Sequence, residues 1–152
     1  MLKKIVSGGQ TGADRAALDF AIRHAIPHGG WVPKGRRAED GRLPERYLLK
    51  ETLSAKYPKR TEQNVIDSDG TLIVSHGILT EGSANTEAMA IKHGRPRLHL
   101  DMNRLTLQEA SRMLRSWITE HQIGVLNIAG PRQSNDPAIY ETTIELLEKA
   151  FF

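Results

Sequence analysis

The chain of 152 residues contains no cysteine. That excludes disulfides, thiolate metal sites and cysteine nucleophiles, and it fits a reducing compartment. Aromatic residues are only 5% of the sequence, too few for the stacking platform of a single-strand nucleic-acid binder. No apolar run approaches the roughly 18 residues that a membrane helix needs. Met1-Leu2-Lys3-Lys4 leads into a short apolar stretch that lacks the longer apolar region and cleavage site of a secretory signal. A cytoplasmic location, with no membrane partner, is the expectation. An excess of one charge sign is nearly missing as well: 21 Lys and Arg against 18 Asp and Glu leave a net charge of +3. Anions are thus favoured only weakly. The densest basic stretch, Lys34-Gly35-Arg36-Arg37, runs at once into Glu39-Asp40, so nucleic acid is not an expected partner.

Metal sites are not expected either. The six histidines are scattered, and Pro27 separates His24 from His28, so they form no i,i+4 pair on a helix. Asp67-Ser68-Asp69-Gly70 lacks the downstream ligands and terminal Glu of a calcium loop and reads as a turn into a strand.

With 39% hydrophobic and 26% charged residues, the composition is that of a globular protein. No repeat, low-complexity tract or linker interrupts it, so a single domain over residues 1–152 is expected. Short apolar runs alternate with helix-period segments, which predicts an α/β, Rossmann-like three-layer fold with a mostly parallel central sheet. Strands are expected at Lys3–Val6, Trp31–Val32, Thr71–Ser75, Arg97–Leu100 and Val125–Ala129. Helices are expected over Ala13–His24, Thr86–His93 with Gly94 closing it, Leu107–Ile118, and from Asp136-Pro137 to the end of the chain, with Asp136 as N-cap and Pro137 at the first helical position. Residues 34–60 read as a long ordered loop with a short helix near Tyr47–Leu53. A loop of that length is usually functional or mobile.

In an open parallel sheet, ligands bind beyond the carboxyl ends of the strands. Three such ends carry unusual loops. Ser7-Gly8-Gly9-Gln10-Thr11-Gly12 precedes Ala13-Asp14-Arg15. Its glycines permit close backbone approach to an anion, and the following helix offers free N–H groups and a positive dipole end. It is neither a Walker A loop nor a G-x-G-x-x-G loop. The alternative is a tight strand-to-helix turn capped by Asp14. After the Thr71–Ser75 strand, Gly82-Ser83 with Thr86 at a helix start again offers donors to an anion, against simple capping by Ser83 or Asn85. After the last strand comes Gly130-Pro131-Arg132. Arg132 there would grip a phosphate or carboxylate in bidentate fashion, or lie free on a turn.

The residues from Ile5 to Asp19 resemble the opening of the molybdenum carrier proteins, a branch of molybdenum-cofactor carriers within the SLOG superfamily. The resemblance continues through Pro33–Arg36, Ala38–Gly41, Arg60-Thr61 with Asn64-Val65, Asp67–Ile73 and Asn127–Arg132, and so covers nearly the whole chain. It implies a Rossmann-like fold, assembly into a homo-oligomer (dimer or tetramer), and binding of molybdenum cofactor (molybdopterin) without chemistry, for delivery to a molybdoenzyme. On that reading Gly8, Gly9 and Gly12 face the phosphate with backbone donors, and Ser7, Gln10 and Thr11 add side-chain hydrogen bonds. Lys34, Arg36, Arg60 and Arg132 neutralise charge around the rim. Asn64, Gly82, Ser83, Asn85 and Thr86 complete the set. Asp14, awkwardly close to an anion, caps the helix, holds Arg15 or accepts from a ligand hydroxyl or amino group. Gly9→Val is expected to block binding without unfolding the protein.

The same superfamily contains the LOG phosphoribohydrolases, whose P-G-G-x-G-T-x-x-E motif ends in a catalytic Glu. Met89 occupies that place here. A nucleoside-monophosphate N-glycosidase, or a nucleotide sensor, is therefore the alternative, with Glu81 or Glu87 as the carboxylate of an enzyme. Binding without a catalytic residue is the preferred expectation.

Overall fold

The computed structural model describes residues 2–152. Its first half runs β1 (Lys4–Val6), α1 (Ala13–Arg23), β2 (His28–Gly29), β3 (Trp31–Val32), β4 (Arg37–Ala38), β5 (Gly41–Arg42), β6 (Lys50–Glu51) and α2 (Tyr57–Ile66). The second half runs β7 (Gly70–Ser75), α3 (Glu81–Lys92), β8 (Arg97–Asp101), α4 (Leu107–Glu120), β9 (Val125–Ala129) and α5 (Ile139–Phe151). The main sheet has the order β2-β1-β9-β7-β8, and every neighbouring pair in it is parallel. Helices α1, α5 and α4 pack side by side as one layer, and α2 with α3 forms the other. This is the three-layer, Rossmann-like α/β fold expected from the alternation of strand and helix patterns.

Burial explains the assignment of each element. All six residues of β7 are buried, as a central strand covered on both faces requires. On α1 the stripe Ala13, Ala16, Ala17, Phe20 and Ala21 is buried against the sheet and α5. Its alanines let the helix axis approach closely. Helix α4 starts at a capping box, in which Thr106 Oγ1 accepts the Glu109 N–H while Glu109 accepts the Thr106 N–H. Among the described residues no helix is long and apolar enough to cross a membrane.

Several local expectations are corrected. Trp31–Val32 is a strand but pairs with β6 in a separate two-stranded sheet, while His28–Gly29 takes the edge of the main sheet. The helix expected near Tyr47–Leu53 is absent. Arg36, which is buried, draws the carbonyls of Leu43, Pro44, Tyr47 and Leu49 onto its guanidinium at 2.8–3.2 Å. Those carbonyls are thereby taken from any helical ladder. Helix α2 falls where no helix was expected; Pro58 in its first turn is the signal that marks its start. Helix α3 begins five residues before Thr86, with Thr80 as N-cap in extended conformation. Helix α5 begins after Ala138. Asp136 instead binds the Ala138 N–H in a turn and contacts His76 through its other oxygen.

The segment 31–52 builds a satellite core, in which Val32, Leu43, Tyr47 and Leu49 bury themselves around Leu18 of α1. Arg36 holds it together from a left-handed backbone conformation (φ 56), which costs about 1 kcal/mol or more for a non-glycine residue. Truncating Arg36 to Ala leaves buried carbonyls without donors and is expected to lower stability by about 3 kcal/mol, read as a shift in the urea midpoint. A midpoint unchanged in Arg36→Ala would refute this role.

Candidate functional site

A cavity of about 490 Å³ opens where β1, β9 and β7 end, within the size range of small-molecule sites. Its walls come from the loop after β1 (Gly8, Gln10, Asp14), from α2 (Tyr57, Arg60, Thr61, Asn64), from the start of α3 (Glu81 to Thr86) and from β9 and its loop (Asn127, Gly130, Arg132). The structure thus gathers Gly8, Gln10, Asp14, Arg60, Asn64, Glu81, Gly82, Ser83, Asn85, Thr86 and Arg132 around one space. It places Ser7, Gly9, Thr11, Gly12, Arg15, Lys34, Arg36 and Glu87 outside its lining.

Of the glycine loop expected to cradle an anion, only Gly8 and Gln10 reach the cavity lining. Its own side chains use much of its hydrogen-bonding capacity. Ser7 Oγ takes the Gly9 N–H at 3.3 Å and donates to the Asp14 carbonyl at 2.9 Å. The Gln10 N–H goes to Asp14 Oδ2 at 3.3 Å, and the Thr11 N–H to Gln10 Oε1 at 3.1 Å. Gly9 lies at φ 75, and a Cβ there would meet Leu43 and Leu49 of the satellite core at 3.1 and 3.2 Å. Gly9→Val is therefore a packing lesion rather than a selective block of binding. A Cβ on Gly12 would lie 2.3 Å from the Pro131 carbonyl oxygen, so this glycine lets the loops after β1 and β9 touch.

Other predicted contacts serve the same clasp. Thr11 Oγ1 donates to Glu39 and accepts the Gln133 N–H, while Glu39 also takes the Ser134 hydroxyl at 2.6 Å. Arg15 bonds the Gly9 carbonyl and pairs with Asp40 at 3.0 Å. Arg36 is spent on the loop carbonyls, and Lys34 is exposed away from the cavity. No residue of 34–56 lines the cavity; that segment packs beneath α1. Asn64 borders the space, but its amide is committed to Trp31, accepting its N–H at 2.8 Å and donating to its carbonyl at 3.1 Å. Ser83, Asn85 and Thr86 lie inside α3 and do not cap it; Thr86 Oγ1 bonds the Gly82 carbonyl of the preceding turn. Glu87 pairs with Arg97 on the outer face, and only Glu81, exposed at the rim, keeps a carboxylate near the opening on this helix.

The positive charge of the site is Arg60 and Arg132. Arg60 is 8% exposed. Among the described residues it bonds only the Gly8 carbonyl through Nη1 at 2.5 Å and Thr61 through Nε at 3.3 Å, with no ion pair. Burial pulls its pKa down, and the nearby charge of Asp14 opposes that. The Arg132 carbonyl accepts the N–H groups of Asn135 and Asp136, but its guanidinium has neither hydrogen bond nor ion pair to any described residue. The Tyr57 ring, a feature the sequence reading passed over, holds both guanidiniums at 5.0 and 5.6 Å from its centroid. Its position three residues before Arg60 on a helix is the signal that would have found it. No side chain caps the N-terminus of α3, which adds a positive dipole end to the same wall.

Against these cations stands Asp14, 7% exposed on the cavity floor. Burial raises its carboxyl to about 6, although Arg60, Arg15 and Arg132 and the Gln10 N–H all act to lower it. No cluster of three or more metal-ligating carboxylates and histidines occurs among the described residues.

Fold and site together define a Rossmann-like α/β protein with an arginine-lined cavity at the carboxyl edge of its sheet. Over residues 5–151 the chain matches the Circularly permutated YpsA SLOG family, and it belongs to that family. Its fold is also that of a crystal structure from Syntrophus aciditrophicus SB, of a protein named "Putative molybdenum carrier protein". The two are 59% identical with a TM-score of 0.99, over 99% of this chain and 96% of the other. No curated protein matches the sequence.

The raised Asp14 carboxyl has a consequence for stability. A group whose pKa is higher folded than unfolded stabilises below its unfolded value of 3.8, and that contribution is lost as pH rises through about 6. The loss amounts to about 3 kcal/mol. Asp14→Asn is expected to match the wild type near pH 4 and to exceed it in stability at pH 7, as followed by denaturant titration. Parallel pH profiles for the two proteins would contradict this.

Proposed function

We propose that this protein is a non-catalytic carrier for a phosphorylated small molecule, with molybdenum cofactor as the preferred ligand and a molybdoenzyme as recipient. The observation that carries the reading is Arg60. A buried guanidinium without a counter-ion, on the wall of an open cavity, is costly unless an anion completes it. Arg132 and the uncapped N-terminus of α3 face the same space, so a phosphate there meets two cations and free backbone donors. The volume suits a pterin- or nucleotide-sized molecule, and the name of the Syntrophus aciditrophicus structure supports the choice of cargo. A carboxylate poised for glycosidic cleavage is not what α3 offers: Glu87 is ion-paired outside the cavity and Glu81 is solvated at its rim. Assembly as a homo-oligomer in the cytoplasm accompanies this proposal.

The test is native mass spectrometry of the purified protein offered molybdenum cofactor, molybdate, AMP and NAD together. Retention of the unaltered pterin cofactor, one per subunit, is the expected result. Arg132→Ala, which removes no side-chain hydrogen bond or ion pair and only the contact with the Tyr57 ring, is expected to weaken that binding about 10- to 100-fold, the loss of one charge-assisted contact. Release of free base from AMP, or no anion retained at all, would overturn the proposal.

A further inference from the structure

The two edges of the main sheet are unlike. At one, β2 is two residues long, and the chain leaves it at once for the separate β3–β6 sheet. So short an edge offers little to pair with. At the other stands β8, five residues long. The Thr71 N–H bonds the Pro96 carbonyl and the Met102 N–H bonds the Ser75 carbonyl. With the observed register, residues 96, 98, 100 and 102 therefore turn their backbone groups toward β7. Arg97, His99 and Asp101 turn theirs outward, and their N–H groups have no partner among the described residues. A regular strand with free donors is a template for another strand.

This edge is also complementary to itself. Arg97-Leu98-His99-Leu100-Asp101 reads the same from either end, except that its two terminal charges are opposite in sign. A second copy laid antiparallel about His99 sets Arg97 opposite Asp101 in both halves and Leu98 opposite Leu100, pairings that favour a sheet. The charged groups are available for it. The Arg97 side chain is 45% exposed, with Glu87 at 3.4 Å. Asp101 Oδ1 takes the Gly77 and Asn103 N–H groups at 2.8 and 3.0 Å, while Oδ2 has only Arg104, at 3.7 Å, among the described residues. Each helical layer adds an apolar side chain beside the edge. Ile91, 56% exposed, follows Glu87 by one turn of α3. Met113, 42% exposed, lies about 200° around α4 from Arg115, which reaches across to α5.

We propose that β8 is the docking edge for a second copy of this chain, paired antiparallel about His99 so that two five-stranded sheets join into one. The contact is isologous, one surface meeting itself across a twofold axis at His99. No residue of β8 lines the cavity, so both copies keep an open ligand site. The inference rests on the homo-oligomer in the proposed function and names its interface.

Because the chain has no cysteine, single introduced cysteines report this pairing without background. Directly opposed residues of a hydrogen-bonded antiparallel pair stand about 5.5 Å apart at Cα, within disulfide reach. The two copies of Arg97 would be four residues out of register, roughly 13 Å apart. On oxidation at pH 8, His99→Cys is expected to give a disulfide-linked dimer on a non-reducing gel. Arg97→Cys alone is expected to stay monomeric there, and a mixture of Arg97→Cys with Asp101→Cys to cross-link. In analytical ultracentrifugation the unaltered chain is expected to sediment as a dimer. Arg97→Asp, which sets two pairs of carboxylates face to face, is expected to raise its dissociation constant at least about 10-fold, and adding Asp101→Arg to restore it. A dimer in which His99→Cys does not cross-link, or in which Arg97→Cys alone cross-links as readily, overturns this interface and leaves the homo-oligomer standing. If His99→Cys does not fold, the mixed pair decides. A chain that sediments as a monomer removes the interface and the homo-oligomer together; the ligand reading stands or falls separately on native mass spectrometry.

Discussion

Arg60 reaches from α2 to the carbonyl of Gly8 at 2.5 Å, and its guanidinium occupies the space where a side chain on residue 8 would be, 2.8 Å from that position. This contact joins the second helical layer to the carboxyl end of β1. It sets the distance between two walls of the cavity and keeps a cation inside the protein without a counter-ion. The neighbouring groups are arranged around that fact. Tyr57 cushions the guanidinium from its own helix, Asp14 lies close enough to moderate its field without neutralising it, and Gln10 turns its oxygen toward the backbone of Glu39.

A site of this kind is a standing cost to stability. A carboxyl pushed up to about 6 and an arginine pulled down, both by burial, mean that each charge is disfavoured in the folded chain. Perturbed groups that meet in an open cavity mark functional positions. The remainder of the molecule offsets the cost with conventional means: a sheet strand buried along its whole length, an alanine-rich helix laid close against it, and the satellite core around Leu18. The segment between β3 and α2 belongs to that support. Arg36 ties the segment to itself, and through Asp40 and Glu39 the segment fixes the backs of the loops whose fronts form the cavity. That placement explains why charged residues of the segment that look like ligand contacts in the sequence lie outside the cavity lining.

Much of the fold was legible in the chain before folding. Thr71–Ser75 and Val125–Ala129 are apolar runs of strand length, and the stripes on α1 and α4 have helical period; such patterns report burial directly, because burial is what selects them. The cavity's location followed from the same reading, since parallel strands open their ligand crevice at their carboxyl ends. Family membership was legible too, through the segments from Ile5 to Asp19 and from Asn127 to Arg132. The residues that face the cavity were less so. Gly8, Gln10, Asp14, Arg60 and Arg132 line it, whereas Gly9, Thr11, Arg15, Lys34 and Arg36, chosen by the same chemistry, do not.

The difference has one physical origin. Periodicity and turn chemistry are local, set by neighbours within a few residues, so the sequence alone determined the layers, the strand ends and the presence of a tight glycine turn after β1. A partner for a hydrogen bond or a charge is chosen by proximity in space. Arg36 meets its carbonyls across a loop, Arg60 meets Gly8 from 52 residues away, and Thr11 meets Gln133 from 122. Only the tertiary structure decided which polar groups were consumed in holding loops together and which remained free on a cavity wall, because that depends on where the chain returns.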